Sequence, residues 1–228
     1  MCRPRNRRIQ NKNEKYPVTR NSLQEFDRQI IKERSVDVLI GVDEAGRGPL
    51  AGPVVAAAAF VPLRLFASLA EVTDSKKLCP TKREKLVHRM IKGGVRFGFG
   101  YATNNEIDKM NILNATFLSM RKAALSLVKS FHPFPEAHLF IVDGPWKIRE
   151  FNYSQMPVKK GDSKSLSIAA ASIFAKVVRD NWMNVLDLAC PGYGFSRHKG
   201  YGTREHISLI RSKGITPYHR KTFAGVKG

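Results

Sequence analysis

The chain has 228 residues, of which 43% are apolar, so it can bury the core of one globular domain with a small appendage. No apolar run reaches the roughly 20 residues of a membrane span, and three scattered cysteines without zinc-ligand spacing predict a reducing, cytoplasmic location. A formal net charge of +20 predicts a polyanionic partner, which we interpret as nucleic acid; a solvated basic surface or association with the ribosome is the alternative.

The N-terminal extension, residues 1–36, is basic. Residues 1–20 carry several arginines and no hydrophobic periodicity, so we expect a disordered or loosely attached arm that adds affinity for a duplex. No apolar segment follows the arginines, which argues against a secretory signal. Residues 22–34 place four apolar side chains on one face and predict a short amphipathic helix.

The globular pattern begins near Val36. The predicted elements of this half are strands at 38–43 and 54–61, a helix at 81–92 with Thr81 as its N-cap, and a strand at 95–103. Gly98 and Gly100 share one face of the last strand, where we expect another element to pack closely.

The second half alternates helices with strands. The predicted elements are a helix at 111–130, strands at 138–142 and 155–159, a long buried helix at 165–188 and a final helix at 203–213. Short links favour antiparallel pairing among the first three strands, and the long helical connection favours a parallel fourth strand. The order predicts an α/β fold, a mixed five-stranded sheet flanked by helices.

Acidic residues follow apolar runs at three places: Asp43-Glu44, Asp143 and Asp180. Each has an ordinary explanation, because Asp143 precedes a turn glycine, Asp180 follows Lys176 by one helical turn, and Asp43 can be a loop carboxylate. Together they indicate a metal site, since clustered carboxylates repel each other unless a cation such as Mg²⁺ or Mn²⁺ lies between them.

Residues beside Asp43 constrain the geometry of this site and form a glycine-flanked turn. Adjacent strand residues point to opposite faces, so we expect Glu44 to lie in the turn if it joins Asp43. The Gly46-Arg47-Gly48 turn that follows lets the backbone approach a ligand closely. We interpret His198 and His206 as surface or packing residues, because their spacing exceeds one helical turn.

The sequence resembles ribonuclease HII, the bacterial type 2 ribonuclease H, from about residue 37 to the end. The matching blocks, in chain order, are the glycine-rich segment at 41–56, Asp-Ser-Lys-Lys-Leu at 74–78, Asn-Ile-Leu-Asn-Ala-Thr at 111–116, Val-Asp-Gly at 142–144, Gly-Asp at 161–162, the long segment at 167–180, the segment from 193 to 203, and Pro-Tyr-His-Arg at 217–220.

The resemblance implies a ribonuclease H-like catalytic domain at 37–190 and a C-terminal helical segment at 191–228 that completes the substrate groove. It implies hydrolysis of the RNA strand of RNA–DNA hybrids and cleavage 5′ to ribonucleotides in duplex DNA, leaving 3′-hydroxyl and 5′-phosphate ends. A two-metal site for Mn²⁺ or Mg²⁺ would activate water and stabilise the leaving oxygen. The catalytic metal ligands carry over to Asp43, Glu44, Asp143 and Asp180.

The resemblance also assigns substrate contacts. Gly46, Arg47 and Gly48 carry over as the ribonucleotide sensor, and a C-terminal tyrosine, Tyr201 or Tyr218, is expected against the substrate sugar. Basic residues in or beside the matched blocks are candidate phosphate contacts, with a solvated positive face as the alternative. These residues are Lys76, Lys77, Lys164, Arg179, Lys199 and Arg204.

The expected partners are RNA–DNA hybrids and DNA duplexes containing ribonucleotides, bound by a monomer without membrane attachment. Two other functions stay open: a metal-dependent DNA nuclease of the same fold, and a non-catalytic nucleic-acid-binding protein. The Gly-Arg-Gly turn argues against the first, since it has no purpose without a 2′-hydroxyl. The four acidic positions argue against the second, because carboxylates repel approaching phosphates.

Overall fold

The computed structural model describes residues 22–72, 75 and 78–226. The N-terminal arm predicted at 1–20 and the candidate phosphate contacts Lys76 and Lys77 lie outside these residues. The strands are β1 (Val38–Ala45), β2 (Val54–Phe60), β3 (Arg96–Ala102), β4 (His138–Asp143) and β5 (Gln155–Val158). The helices are α1 (Ser22–Arg34), α2 (Pro80–Gly93), α3 (Asn104–Val128), α4 (Leu166–Ala189), α5 (Phe195–His198) and α6 (Arg204–Lys213).

The five strands form one mixed sheet in the order β3-β2-β1-β4-β5. The first three strands pair antiparallel, and β4 pairs parallel with both β1 and β5. The prediction of a mixed sheet is therefore confirmed. A short link joins β1 to β2, whereas β2 and β3 pair antiparallel although α2 lies in the connection between them. Within the described part of the chain, no helix is both long and apolar enough to cross a membrane.

Helix α3 covers one face of the sheet, and glycines on β3 allow its close approach. A Cβ atom on Gly98 would lie 2.5 Å from the carbonyl oxygen of Ala123, and one on Gly100 would lie 2.4 Å from Cβ of Lys122. The prediction that another element packs against these glycines is confirmed. On the same face, Val42 of β1 packs into a core that includes Leu127 of α3.

Helix α4 covers the opposite face and begins against the middle of β1. A Cβ atom on Gly41 would lie only 2.1 Å from the carbonyl carbon of Ser167, so strand and helix touch through their backbones. The hydroxyl of Ser165 accepts from the amide of Ile168, and the carboxylate of Asp27 accepts from the amide and hydroxyl of Ser167. These caps fix where α4 begins and therefore where its later turns lie.

Two predicted helix starts differ from the structure. Helix α3 begins at Asn104 and not at 111, because Thr103 and Glu106 form a capping box, and Asn111 interrupts the helix with a φ of 67°. Helix α2 begins after Cys79 and not at Thr81, with Pro80 in the first turn, where its missing N–H costs nothing.

Candidate active site

A cavity of about 220 Å³ opens where β1 and β4 end. It is lined by residues from both strand ends, the turn after β1, helix α4 and the C-terminal part of the chain. The lining residues are Asp43, Glu44, Ala45, Gly46, Arg47, Gly48, Ser75, Asp143, Asp162, Ser172, Lys176 and Tyr201. The crevice beyond the carboxyl ends of sheet strands is where α/β proteins commonly bind ligands.

Asp43 and Glu44 reach this cavity in a different way from the one predicted. Glu44 does not leave the strand, because β1 continues to Ala45 and Glu44 pairs with Ala56 of β2. The pairing of β1 with β4 ends earlier, at Val42. Both carboxylates therefore flank an open end of the sheet, and residues from either face of β1 gain access to one cavity.

Asp43 is held firmly on the α4 side of the sheet. Its carboxylate accepts the amide of Glu44 at 2.7 Å and bonds to the hydroxyl of Ser172. The hydroxyls of Ser172 and Ser75 lie 3.0 Å apart, so the serine of the Asp-Ser-Lys-Lys-Leu block connects through Ser172 of α4 to Asp43. Only 5% of Asp43 is exposed.

Burial and repulsion among acidic side chains shift the titration of the site. Burial raises the pKa of Asp43 well above its usual value, and the charges of Glu44 and Asp143 raise it further. Burial also raises the pKa of Glu44, with a further contribution from Asp143, although Arg47 opposes the shift. The ionised carboxylates are thus short of compensating positive charge, which a cation would supply.

Asp143 ends β4 and is oriented by the turn before α4. Its Oδ1 accepts the amide of Gly161 at 2.6 Å. Burial raises the pKa of Asp143, and the nearby charge of Asp162 also raises it. Asp162 lines the cavity, so the Gly-Asp pair at 161–162 contributes both a support for Asp143 and a further carboxylate.

Asp180 occupies a different position from the other three predicted ligands. It is not among the lining residues of the cavity, and its carboxylate accepts from Lys176 at 2.7 Å and from Arg83 at 3.2 Å. Lys176 itself lines the cavity. The structure thus brings Asp43, Glu44 and Asp143 together with Asp162 at the cavity. Asp180 is paired with Lys176 and does not line the cavity. Sequence spacing alone gave no signal to separate Asp162 from Asp180.

The Gly46-Arg47-Gly48 turn lines the cavity beside the carboxylates. Gly46 has a φ of 96°, and a Cβ atom on it would lie 2.0 Å from Nε of Arg179. Arg47 pairs with Glu44 at 3.3 Å. Arg179 is fully buried and donates to the carbonyls of Ala51, Pro53 and Lys199, so its prediction as a phosphate contact is wrong.

The two candidate tyrosines differ in position. Tyr201 is half exposed, lines the cavity and lies beside Gly48, where a Cβ atom would be 3.8 Å from its ring. Tyr218 instead packs against the buried cluster around Met183 and Phe195. Tyr201 is therefore the tyrosine available to a ligand in the cavity.

A chain of neutral histidines supports the backbone next to Tyr201. His206 Nδ1 lies 2.9 Å from the carbonyl oxygen of Tyr201, so it donates, and Nε2 of His206 accepts from Nε2 of His219 at 3.0 Å. Nδ1 of His219 accepts the amide of Thr216. The rings of His198 and His206 stack at 4.3 Å. These histidines are buried, as the packing interpretation predicted.

The carboxylates fit a hard divalent cation in chemistry. Carboxylate oxygens are the ligands that Mg²⁺ and Mn²⁺ prefer, and Asp43, Glu44 and Asp143 line one cavity, where a cation would offset the repulsion among their charges. Among the described residues, no three carboxylate, histidine or cysteine side chains already form a closed metal-binding group.

Comparisons with known proteins agree with the geometry. The sequence model of the ribonuclease HII family matches residues 40–226. Ribonuclease HII of Fusobacterium nucleatum subsp. nucleatum is 53% identical over 186 residues, covering 81% of this chain and 85% of that protein. Ribonuclease HII of Caldanaerobacter subterraneus subsp. tengcongensis is 43% identical, covering 90% of this chain and 82% of that protein.

The fold has solved relatives as well. The crystal structure of ribonuclease H2 from Pyrococcus horikoshii OT3 matches with a TM-score of 0.65 at 27% identity. The match covers 83% of this chain and 95% of that one. The prediction of a ribonuclease H-like fold is confirmed.

Proposed function

The chain belongs to the ribonuclease HII family and is thus a hydrolase of the ribonuclease H type, and we propose that it cuts 5′ to ribonucleotides embedded in duplex DNA as well as within RNA–DNA hybrids. The products would carry 3′-hydroxyl and 5′-phosphate ends. One observation carries the proposal: the carboxylates at the ends of β1 and β4 share a single cavity with the Gly46-Arg47-Gly48 turn. The same place thus offers a cation site and a backbone that approaches a sugar.

The cation site would be formed by Asp43, Glu44 and Asp143. We propose Asp162 as the fourth carboxylate in preference to Asp180, because Asp162 lines the cavity and Asp180 is neutralised by Lys176 and Arg83. Two Mn²⁺ or Mg²⁺ ions held there would supply an activated water and stabilise the leaving 3′ oxygen. The family depends on divalent metals, and either ion suits these oxygen ligands.

The other residues of the cavity have supporting roles. Ser172 and the amide of Glu44 orient the Asp43 carboxylate, and the amide of Gly161 orients that of Asp143. These contacts hold the donors before substrate arrives, so less ordering is needed at the time of reaction.

Recognition of ribose would depend on the turn and on Tyr201. A protein distinguishes RNA from DNA at one position by contacting the 2′-hydroxyl. Gly48 carries no side chain beside the Tyr201 ring, and the absence of a side chain at Gly46 lets the turn pack against Arg179. The sugar would lie between the ring and the turn, with its 2′-hydroxyl against the main chain.

The strong positive charge supplies affinity that does not depend on sequence. With a net charge of +20, the protein would release counterions from the phosphates on binding, so affinity would fall steeply with salt. We propose that a monomer is the active species.

The substitution Asp43→Asn tests the assignment of the site. The amide keeps the size of the side chain but removes the charge that holds a cation, so cleavage should fall below detection while affinity for the duplex stays within about twofold. The matched control is Asp37→Asn, an exposed residue just before β1, which should retain full activity. Retention of full activity by Asp43→Asn would refute the site.

A further inference from the structure

Arg220 is a fully buried arginine that binds the backbone of the Gly46-Arg47-Gly48 turn. Its Nη2 donates to the carbonyl oxygen of Gly46 at 2.6 Å, and its Nη1 donates to that of Arg47 at 2.9 Å. Its Nε donates to the carbonyl of Gly52 at 3.0 Å. The backbone amide of Arg220 also donates to Leu50. One residue near the C-terminus thus holds both ends of the loop between β1 and β2.

The contacts use the features that distinguish arginine from lysine. A guanidinium presents its donors in a fixed planar fork, and Arg220 directs three of them at three separate carbonyls. Burial lowers the pKa of Arg220 to about 9, and the nearby charge of Arg179 adds to the shift. Placing a charge there is costly, so the group has to be held by good hydrogen bonds.

These bonds determine which way the peptide groups face. In a trans peptide the C=O and N–H bonds point in opposite directions. The carbonyls of Gly46 and Arg47 face Arg220, so the amide hydrogens of Arg47 and Gly48 face away from it. Within the described residues, neither amide donates to another group of the protein. Arg47 and Gly48 line the cavity, whereas Arg220 does not.

We propose that Arg220 is a positioning residue for ribose selection. It fixes the Gly46–Arg47 and Arg47–Gly48 peptide groups so that two amide hydrogens point at the ribose 2′-hydroxyl and the adjacent phosphate. This inference rests on the proposed function, since it concerns the same cavity. Lysine at this position keeps the charge but cannot hold three carbonyls in a plane, so the two peptide groups would be free to rotate.

The test measures binding in an inactive background. In Asp43→Asn protein without added metal, the dissociation constant is measured for a DNA duplex with one ribonucleotide and for the matched all-DNA duplex. The dissociation constant for the all-DNA duplex divided by that for the duplex with the ribonucleotide reports ribose selection alone. Adding Arg220→Lys should lower that ratio about tenfold, the effect of the lost hydrogen bond to the 2′-hydroxyl, because any weaker contact with the phosphate affects both duplexes equally and cancels.

The matched control is Arg96→Lys. Arg96 also donates to a main-chain carbonyl, that of Ser130, and stacks on Phe131, but it lies at the start of β3 away from the cavity. The Arg96→Lys variant should leave the ratio of dissociation constants unchanged. An unchanged ratio with Arg220→Lys overturns the inference. If Asp43→Asn protein alone shows no preference for the ribonucleotide, the proposed function itself fails at this point.

A second variant covers the case in which Arg220→Lys does not fold. Asp108 accepts from the amides of Lys221 and Thr222 at the surface, so it anchors the segment that carries Arg220. Asp108→Ala should lower the ratio in the same direction by a smaller factor. If Arg220→Lys is unfolded, a lowered ratio with Asp108→Ala supports the inference and an unchanged ratio overturns it.

Discussion

Lys176 Nζ lies 2.7 Å from Oδ1 of Asp180, one helical turn further along α4. Lys176 lines the cavity and Asp180 does not, so the ion pair satisfies Asp180 before any metal arrives. Asp162, by contrast, lines the cavity and raises the pKa of Asp143. This arrangement gives the two carboxylates different roles that can be tested.

Asp162→Asn should lower kcat by about 100-fold or more and raise the metal concentration needed for half-maximal activity. Asp180→Asn should lower kcat less than about tenfold and leave the metal requirement unchanged, because its carboxylate acts through Lys176 and Arg83. Metal titrations of cleavage by both variants check this. A larger loss of kcat and a larger change in metal requirement for Asp180→Asn than for Asp162→Asn would indicate that Asp180 is a metal ligand.

Gly41→Ala should destabilise the fold by about 3 kcal/mol or more, since a Cβ atom would lie 2.1 Å from backbone that cannot move without displacing α4. Gly48→Ala serves as the control, because the nearest atom to its Cβ would be the Tyr201 ring at 3.8 Å. Its unfolding free energy should stay within about 0.5 kcal/mol of the original. Equal stability of the two variants in urea would contradict the packing of α4 on β1.

The sequence predicted the elements that have local signals. The apolar run before Asp43 identified β1, and Ser165 marked the start of α4. The earlier start of α3 could also have been predicted, because Thr103 and Glu106 have capping-box spacing. The polar residues after Thr103 do not show the apolar periodicity of a helix, so the start was placed too late. The position of Glu44 could not be predicted from the sequence, because it depends on where the pairing of β1 with β4 ends.

The candidate site was predictable in part for the same reason. Carboxylates at strand ends meet by topology, which brought Asp43 and Asp143 together. Asp162 reaches the cavity only because the turn at Gly161 packs under Asp143, and no spacing rule predicts that contact. The role of Arg220 depends on contacts across more than 160 residues of chain, with Gly46, Arg47 and Gly52.

The neutral histidine chain predicts a loss of stability in acid. Burial lowers the pKa of His219 to about 4, so its contribution is complete above pH 6.5 and is lost as the pH falls towards 4. Between pH 7 and pH 4.5, the unfolding free energy should fall by about 2.5 kcal/mol more than it does in His219→Gln. Urea titrations at the two pH values measure the difference. The control variant His88→Gln, at an exposed histidine, should lose as much unfolding free energy between the two pH values as the original protein. An equal loss in His219→Gln would contradict the neutral histidine chain.

Asp27 predicts a pH dependence of opposite sign. Burial raises its pKa from 3.8 to about 6, so its contribution to stability is complete below pH 3.8 and is lost as the pH rises through 6. Asp27→Asn keeps an oxygen to accept from Ser167 and should therefore gain about 2.5 kcal/mol relative to the original between pH 4 and pH 7. Chemical unfolding of both proteins across this range checks the sign. A relative loss would show that the ionised carboxylate is favourable in the folded state.

We propose that one cavity joins a cation site to a ribose sensor. The most direct measurement uses two labelled DNA duplexes that differ only in one ribonucleotide, each incubated with the protein in Mn²⁺, in Mg²⁺ and in excess chelator. We expect a single cut on the 5′ side of the ribonucleotide with metal, and intact strands in chelator and in the all-DNA duplex. Cleavage of the all-DNA duplex would indicate a DNA nuclease, and absence of cleavage with either metal would indicate a binding protein. Either result would refute a metal-dependent nuclease that selects ribose.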